Sequence, residues 1–331
     1  MAVTAALVKE LREITGAGMM DCKKALEEAD NDFEKAMEII RKKGQAVAAK
    51  RSDREAAEGC VLAADEGGFA AIVALKCETD FVAKNADFVA LTQDILNAAM
   101  TGKPASKEDL LAATLQGGRT VENHITDRIG VTGEKMELDG YDYLEGANIS
   151  VYDHMGKHTL ATMVQLSGAN EEAGHKVAMQ VAAMKPVALD ESSVPQSVKD
   201  EEFKVAVEKT KEEMVSKAVD AALKKAGINP AHVDSEDHIE SNTKKGWLTE
   251  EDAAKAREIK KTVGEEKAAS LNEQMIQNIA QGRLNKFFKE NCLVDQEFQF
   301  GDGDKESVAA WLKKQDDLKI LAYKRFTLVA E

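Results

Sequence analysis

A chain of 331 residues with 44% hydrophobic content is long enough for two or three domains, each with its own core. Aromatics at 5% argue against an all-β architecture, and 59 acidic against 44 basic residues, a formal charge of −15, argue against a general nucleic-acid binder. The four cysteines, Cys22, Cys60, Cys77 and Cys292, show no C-x-x-C or metal-ligand spacing, and no apolar run approaches the roughly 18 residues that span a bilayer. Met1-Ala2-Val3-Thr4 opens directly into an amphipathic pattern without a signal-peptide core, so the expected location is cytoplasmic and membrane-free.

Residues 4 to 44 read as three short helices. Thr4 caps the first, which presents Leu7, Val8, Leu11 and Ile14 and stops at Gly16. Met19 and Met20 follow the Gly16-Ala17-Gly18 turn and lead a helix through Cys22, Ala25 and Leu26. Asn31 with Glu34 forms a capping box for a third helix carrying Phe33, Met37 and Ile40 and ending before Gly44. Residues 45 to 56 then read as a linker, so 1–55 form a partner-docking module.

From Gly59 the apolar period changes to two. Cys60, Leu62 and Ala64 alternate into Asp65-Glu66-Gly67-Gly68, and Phe69, Ala71, Val73, Leu75 and Cys77 line one face of the returning strand. The chain then turns a corner at Cys77-Glu78-Thr79-Asp80-Phe81-Val82-Ala83-Lys84-Asn85. Here Asp80 reads as a helix cap, and Phe81 as either a core staple or an exposed tip. A longer helix carries Phe88, Leu91, Ile95 and Leu96, and shorter ones follow around Leu110 to Leu115 and Val121 to Ile129. The arrangement repeats from Asn148: Ile149 and Val151, the turn His154-Met155-Gly156-Lys157, a strand through Leu160, Thr162, Val164 and Leu166, then a helix from Glu171 that ends at Lys185-Pro186.

The stretch from 195 to 285 is charged and poor in β-branched runs. Ser197 with Asp200 reads as a capping box. Phe203, Val207 and Met214 face Leu271, Met275, Ile276 and Ile279 in an antiparallel coiled-coil-like arm. Thr249 with Asp252 starts another helix, and the polar stretch from 228 to 263 reads as a removable insertion. Glu297-Phe298-Gln299-Phe300, a helix from Ser307 to Lys314 and a strand from Leu318 to Val329 complete the last layer. The expected fold is thus α+β: a three-helix module over 1–55, related hairpin-plus-helix subdomains over 56–140 and over 141–194 with 286–331, and the arm over 195–285.

Two blocks, Leu11-Arg12-Glu13-Ile14-Thr15-Gly16-Ala17-Gly18-Met19-Met20-Asp21-Cys22-Lys23-Lys24-Ala25-Leu26 and Thr79-Asp80-Phe81-Val82-Ala83-Lys84-Asn85, resemble elongation factor Ts, the nucleotide-exchange partner of the translational GTPase elongation factor Tu. The resemblance implies a ubiquitin-associated-like first module and an exchange wedge at Asp80 and Phe81 acting on the partner's Mg²⁺ and phosphate site. It also implies partner contacts through Arg12, Met19, Met20, Thr79, Asp80, Phe81 and Val82. The run Ala178-Met179-Gln180-Val181-Ala182-Ala183-Met184 also matches, with Gln180 where some members carry histidine. A second copy of the complex is a further candidate partner through the arm.

The sequence carries no G-x-x-x-x-G-K-[ST] loop, no G-x-G-x-x-G after a strand and no H-E-x-x-H, so no cofactor, no bound nucleotide and no covalent chemistry are expected. His154 and His158 flank a turn as a weak metal pair at most. The alternatives to exchange are a helical adaptor or chaperone without nucleotide exchange, and a thiol enzyme built on Cys77.

Overall fold

The computed structural model describes residues 3–115, 117–301, 303 and 305–328. The chain forms two compact units, Met1–Leu189 with Gln296–Glu331, and Asp190–Asp295.

The first unit opens with α1 (Ala5–Thr15), α2 (Met19–Glu28) and α3 (Phe33–Arg51). Thr4 caps α1 and Gly16 ends it at φ 69, a left-handed position that suits glycine. Val8, Leu11, Cys22, Ala25, Leu26, Ala36 and Ile40 form the core of the three helices. Ile14 is exposed instead. Thr15 takes the buried place beside Leu11 and donates its hydroxyl to the Leu11 carbonyl at 2.6 Å. The third helix departs from expectation at both ends. Asp32, not Asn31, accepts from the first turn at Lys35 N, and the helix runs through Gly44 to Arg51, taking up most of the expected linker. Gly44 is a contact glycine, not a stop. A Cβ there would lie 2.8 Å from the Thr126 carbonyl oxygen, and one on Gly130 would lie 3.0 Å from the Gly44 Cα. The missing side chains let α3 cross closely over α7 (Val121–Thr132).

β1 (Glu58–Glu66), β2 (Phe69–Cys77) and β3 (Met136–Glu145) form an antiparallel sheet in that order. The expected hairpin is present, with Cys60 opposite Leu75, while β3 was not anticipated. The face carrying Cys60, Leu62, Phe69, Val73, Leu75 and Cys77 packs under α5 (Ala86–Gly102), α6 (Lys107–Ala112) and α7. The second sheet, β4 (Ile149–Asp153), β5 (Leu160–Leu166) and β6 (Ile320–Thr327), is also antiparallel, and α8 (Glu171–Met184) covers β4 and β5. Val329 of the expected last strand lies outside the described residues. The α+β class holds, yet neither sheet has a free face. Val61, Ala70, Ile72 and Ala74 of the first sheet meet Ala161 and Met163 of the second. Ser307 caps α13 (Val308–Lys314), whose Trp311 ring lies tilted against Phe298 with centroids 4.5 Å apart.

The second unit holds α9 (Gln196–Lys225), α10 (Glu236–Lys244), α11 (Glu250–Ala269) and α12 (Glu273–Asn291). Helix α9 starts after Pro195 without a side-chain cap, so the Ser197–Asp200 box is not formed; Thr249 does cap α11. The stripes also shift. Ala206 and Thr210 are buried on α9, and Ile276, Ala280, Leu284 and Phe288 on α12 at every fourth position, while Met275 is exposed. The outer part of α9 has a different partner. Val219 and Leu223 share a core with Ile228, Val233, Ile239, Leu248, Ala253 and Ala256. The stretch from 228 to 263 is therefore a folded part of this unit, which corrects its reading as a dispensable polar insertion.

Candidate functional site

At the end of β2 the chain leaves the sheet and makes a single helical turn, α4 (Asp80–Ala83). An isolated turn this short does not hold itself, because nucleation costs more than one turn of hydrogen bonds returns. Its surroundings supply the order. Thr79, not Asp80, is the cap, and its Oγ1 accepts from Val82 N at 3.4 Å. Asn85 closes the far side by capping α5. Val82 and Ala83 pack against the core below. Phe81 points the other way and is 84% exposed, which decides for the exposed tip over the staple. Asp80 begins the helix, and its carboxylate receives Lys84 Nζ at 2.7 Å. That hydrogen bond holds the Asp80 carboxyl below the ordinary carboxylate range.

Two further carboxylates brace this corner. Glu134 accepts from Thr79 N at 3.1 Å and from Thr79 Oγ1 at 2.7 Å. Glu78 accepts from Lys135 N at 2.6 Å and from Arg51 Nη1 at 3.1 Å. Arg51 is the last residue of α3, so one ion pair joins the three-helix module to the residue two before Asp80. No pattern local to the corner points to Glu134 or Arg51, since their partners stand 55 and 27 positions away.

The remaining expected contact residues lie on the three-helix module. Met19 and Met20 are 60% and 63% exposed, so neither closes the module's core. Arg12 is exposed, makes no ion pair among the described residues, and lines with Met19 a cleft of ≈ 530 Å³ that also touches Asp127 and Val131 of α7. Thr79, Asp80, Phe81 and Val82 thus lie together at one corner, while Arg12 and Met19 lie together at the cleft on α1 and α2, with Met20 exposed beside Met19 but not among the residues lining that cleft. Gln180 belongs to neither. It is fully buried, donates to the Gln296 side chain and the Glu297 carbonyl, and accepts from Gln299 N, so its amide serves the packing of α8.

Cys77 is buried and donates to the Thr79 carbonyl at 3.3 Å. Burial first, then the Glu134 charge, pushes the thiol up to about 12, so it stays protonated and is a poor nucleophile. His158 Nδ1 bonds to Asp153 and His154 Nδ1 to Tyr152, and among the described residues no group of three or more His, Cys, Asp or Glu side chains is placed to hold a metal ion. Among the described residues no helix is long and apolar enough to cross a membrane.

The family model for elongation factor Ts matches residues 78–330. Proteins named Elongation factor Ts from Parabacteroides distasonis and Bacteroides fragilis are 63% and 62% identical, each over 100% of both chains. A protein of the same name from Azobacteroides pseudotrichonymphae is 42% identical over 82% of this chain and 99% of its own length. On a family match over most of its length and relatives alike from end to end, the chain belongs to the elongation factor Ts family, a family of translation elongation factors.

Proposed function

We propose that this chain promotes release of GDP from elongation factor Tu, with Phe81 as the wedge and Arg12, Met19 and Met20 as docking contacts. The observation that carries this reading is a large aromatic ring, 84% exposed, on a one-turn helix braced from below. A ring held this way costs solvation in the free protein, and it loses little conformational entropy on insertion into a partner. No covalent step is required. A factor that binds the nucleotide-free GTPase more tightly than the nucleotide-bound form drives release by that difference alone, and by reciprocity the incoming nucleotide expels it. In this reading Phe81 enters beside the partner's Mg²⁺ and phosphate site, and Asp80 shifts polar groups there.

The test is release of fluorescent GDP from elongation factor Tu at substoichiometric amounts of this chain. Burying a phenyl ring is worth roughly 1.5–3 kcal/mol, so Phe81→Ala is expected to slow catalysed release by about 10- to 100-fold. The melting temperature should not move, because the ring makes little contact within its own chain. Binding without any acceleration of release would make the protein an adaptor and sink this reading.

A further inference from the structure

The corner that carries Phe81 is held by two crossed carboxylates. Past a register shift between Ala74 and Leu75, strands β2 and β3 pair from Leu75 opposite Leu138 to Cys77 opposite Met136. Continued by the same rule, the ladder would set Glu78 against Lys135 and Thr79 against Glu134. Instead the Glu78 side chain accepts the Lys135 N–H, and the Glu134 side chain accepts the Thr79 N–H. A continued ladder would give backbone hydrogen bonds to only one of these two adjacent pairs, whereas the two carboxylates accept from an N–H in each and the backbone turns out of the sheet. The Thr79 carbonyl then accepts from Ala83 N at 3.1 Å and closes the helical turn.

Glu134 does a second thing. Its other oxygen accepts a hydrogen bond from the Thr79 hydroxyl at 2.7 Å, which leaves the hydroxyl lone pairs for the Val82 N–H. One carboxylate therefore fixes both the backbone and the rotamer of the residue that caps α4, two positions before Phe81. Glu134 is itself braced. It follows Gly133, the left-handed cap of α7 at φ 75, and its own N–H donates to Thr132 Oγ1 at 3.3 Å.

We propose that Glu134 is a positioning residue for nucleotide exchange: its carboxylate clamps Thr79 so that Phe81 is presented in one orientation before the partner is met. The proposal rests on Phe81 being the wedge. Without the clamp the turn must be ordered during insertion, and that cost falls on the exchange step more than on docking through α1 and α2.

The experiment measures fluorescent GDP release from elongation factor Tu by the full chain and by Glu134→Ala, Glu134→Gln, Phe81→Ala and the Glu134→Ala/Phe81→Ala double variant, each checked by thermal melting. Glu134→Ala should lower the saturating release rate by about tenfold, with the half-saturating concentration within about twofold. Glu134→Gln keeps the side-chain length and an acceptor oxygen for the Thr79 N–H, and its amide can donate to the Thr79 hydroxyl oxygen, so it should recover most of the rate. In the absence of Phe81, Glu134→Ala should have no further effect, because the clamp acts through that ring. An unchanged saturating rate in Glu134→Ala, or an equal loss with and without Phe81, overturns the proposal. Slow Phe81→Ala with fast Glu134→Ala removes the positioning role alone; fast Phe81→Ala removes the wedge and the positioning role together. If Glu134→Ala melts below the assay temperature, Glu134→Asp, too short to reach both Thr79 donors, enters the same cycle and decides it.

Discussion

Deleting residues 228 to 263 and joining the flanks through a glycine-containing turn should damage the second unit and spare exchange. Val219 and Leu223 are 8% and 1% exposed on the outer part of α9, and Ile228, Val233, Ile239, Leu248, Ala253 and Ala256 provide their cover. Uncovering the two side chains forfeits roughly 3–6 kcal/mol at about 1.5–3 kcal/mol each. The shorter connection returns only about 0.6 kcal/mol per halving of loop length. Burial wins by several-fold, and a helix end without a packed face is marginal on its own. Hydrogen exchange should show amide protection lost across Val219–Lys225, while the inner pairing, with Ala206 and Thr210 buried on α9 and Ile276 and Ala280 on α12, keeps its protection. Catalysed GDP release should stay within about twofold, because Thr79, Phe81 and Glu134 belong to the other unit. Retained protection at Val219–Lys225 in the deletant would refute the packing argument. A tenfold fall in exchange with the first unit intact would show that this stretch takes part in exchange.

Met19→Ala with Met20→Ala should weaken association with elongation factor Tu by about tenfold, and leave the melting temperature unchanged because both side chains are exposed; surface plasmon resonance and calorimetry check the two halves. Gly44→Ala should destabilise the first unit by about 1–3 kcal/mol in urea unfolding, since its Cβ would lie 2.8 Å from the Thr126 carbonyl oxygen. His124 is half-buried, and burial first, then the Arg119 charge, lowers its pKa below the ordinary 6.5. The unfolded chain therefore binds this proton first, so its contribution to stability is full above about pH 6.5 and is lost as pH falls through the depressed folded value. Urea unfolding between pH 7.5 and 5.5 should show a smaller decline in His124→Gln. All four cysteines are buried, and burial pushes Cys60 and Cys292 up to about 11 and Cys77 to about 12. A thiol reagent at pH 8 should find no fast-reacting group until denaturant is added.

Much of the architecture follows from local rules. Period-two runs at Cys60 to Cys77 and Ile149 to Leu166 became hairpins, and Thr4 and Thr249 capped helices where their spacing placed them. The failures share a cause. Gly44 has the composition of a helix stop and the role of a contact glycine, and only the neighbour at Thr126 and Gly130 distinguishes the two. β3 alternates Met136, Leu138 and Gly140 with Glu137 and Asp139, so its acids mask a half-buried strand; Lys76 pairs with Asp139 across the sheet. In the second unit the small residues Ala206 and Ala280 join Ile276, Leu284 and Phe288 in the inner contact, where apolar size had pointed to Phe203 and Met275 beside Ile276.

By itself the sequence determined most of the helices, the two hairpins and the corner from Cys77 to Asn85, because turn chemistry, capping and apolar period act over a few residues. It also set Asp80 beside Phe81. Tertiary structure decided that Thr79 is the cap, that Phe81 faces solvent, and that Glu134 and the Glu78–Arg51 pair hold the corner. It likewise decided that each sheet's second face meets the other sheet. Those outcomes depend on groups dozens of positions apart arriving within hydrogen-bond or van der Waals distance, and a one-dimensional pattern records the chemistry of such groups without recording which of them meet.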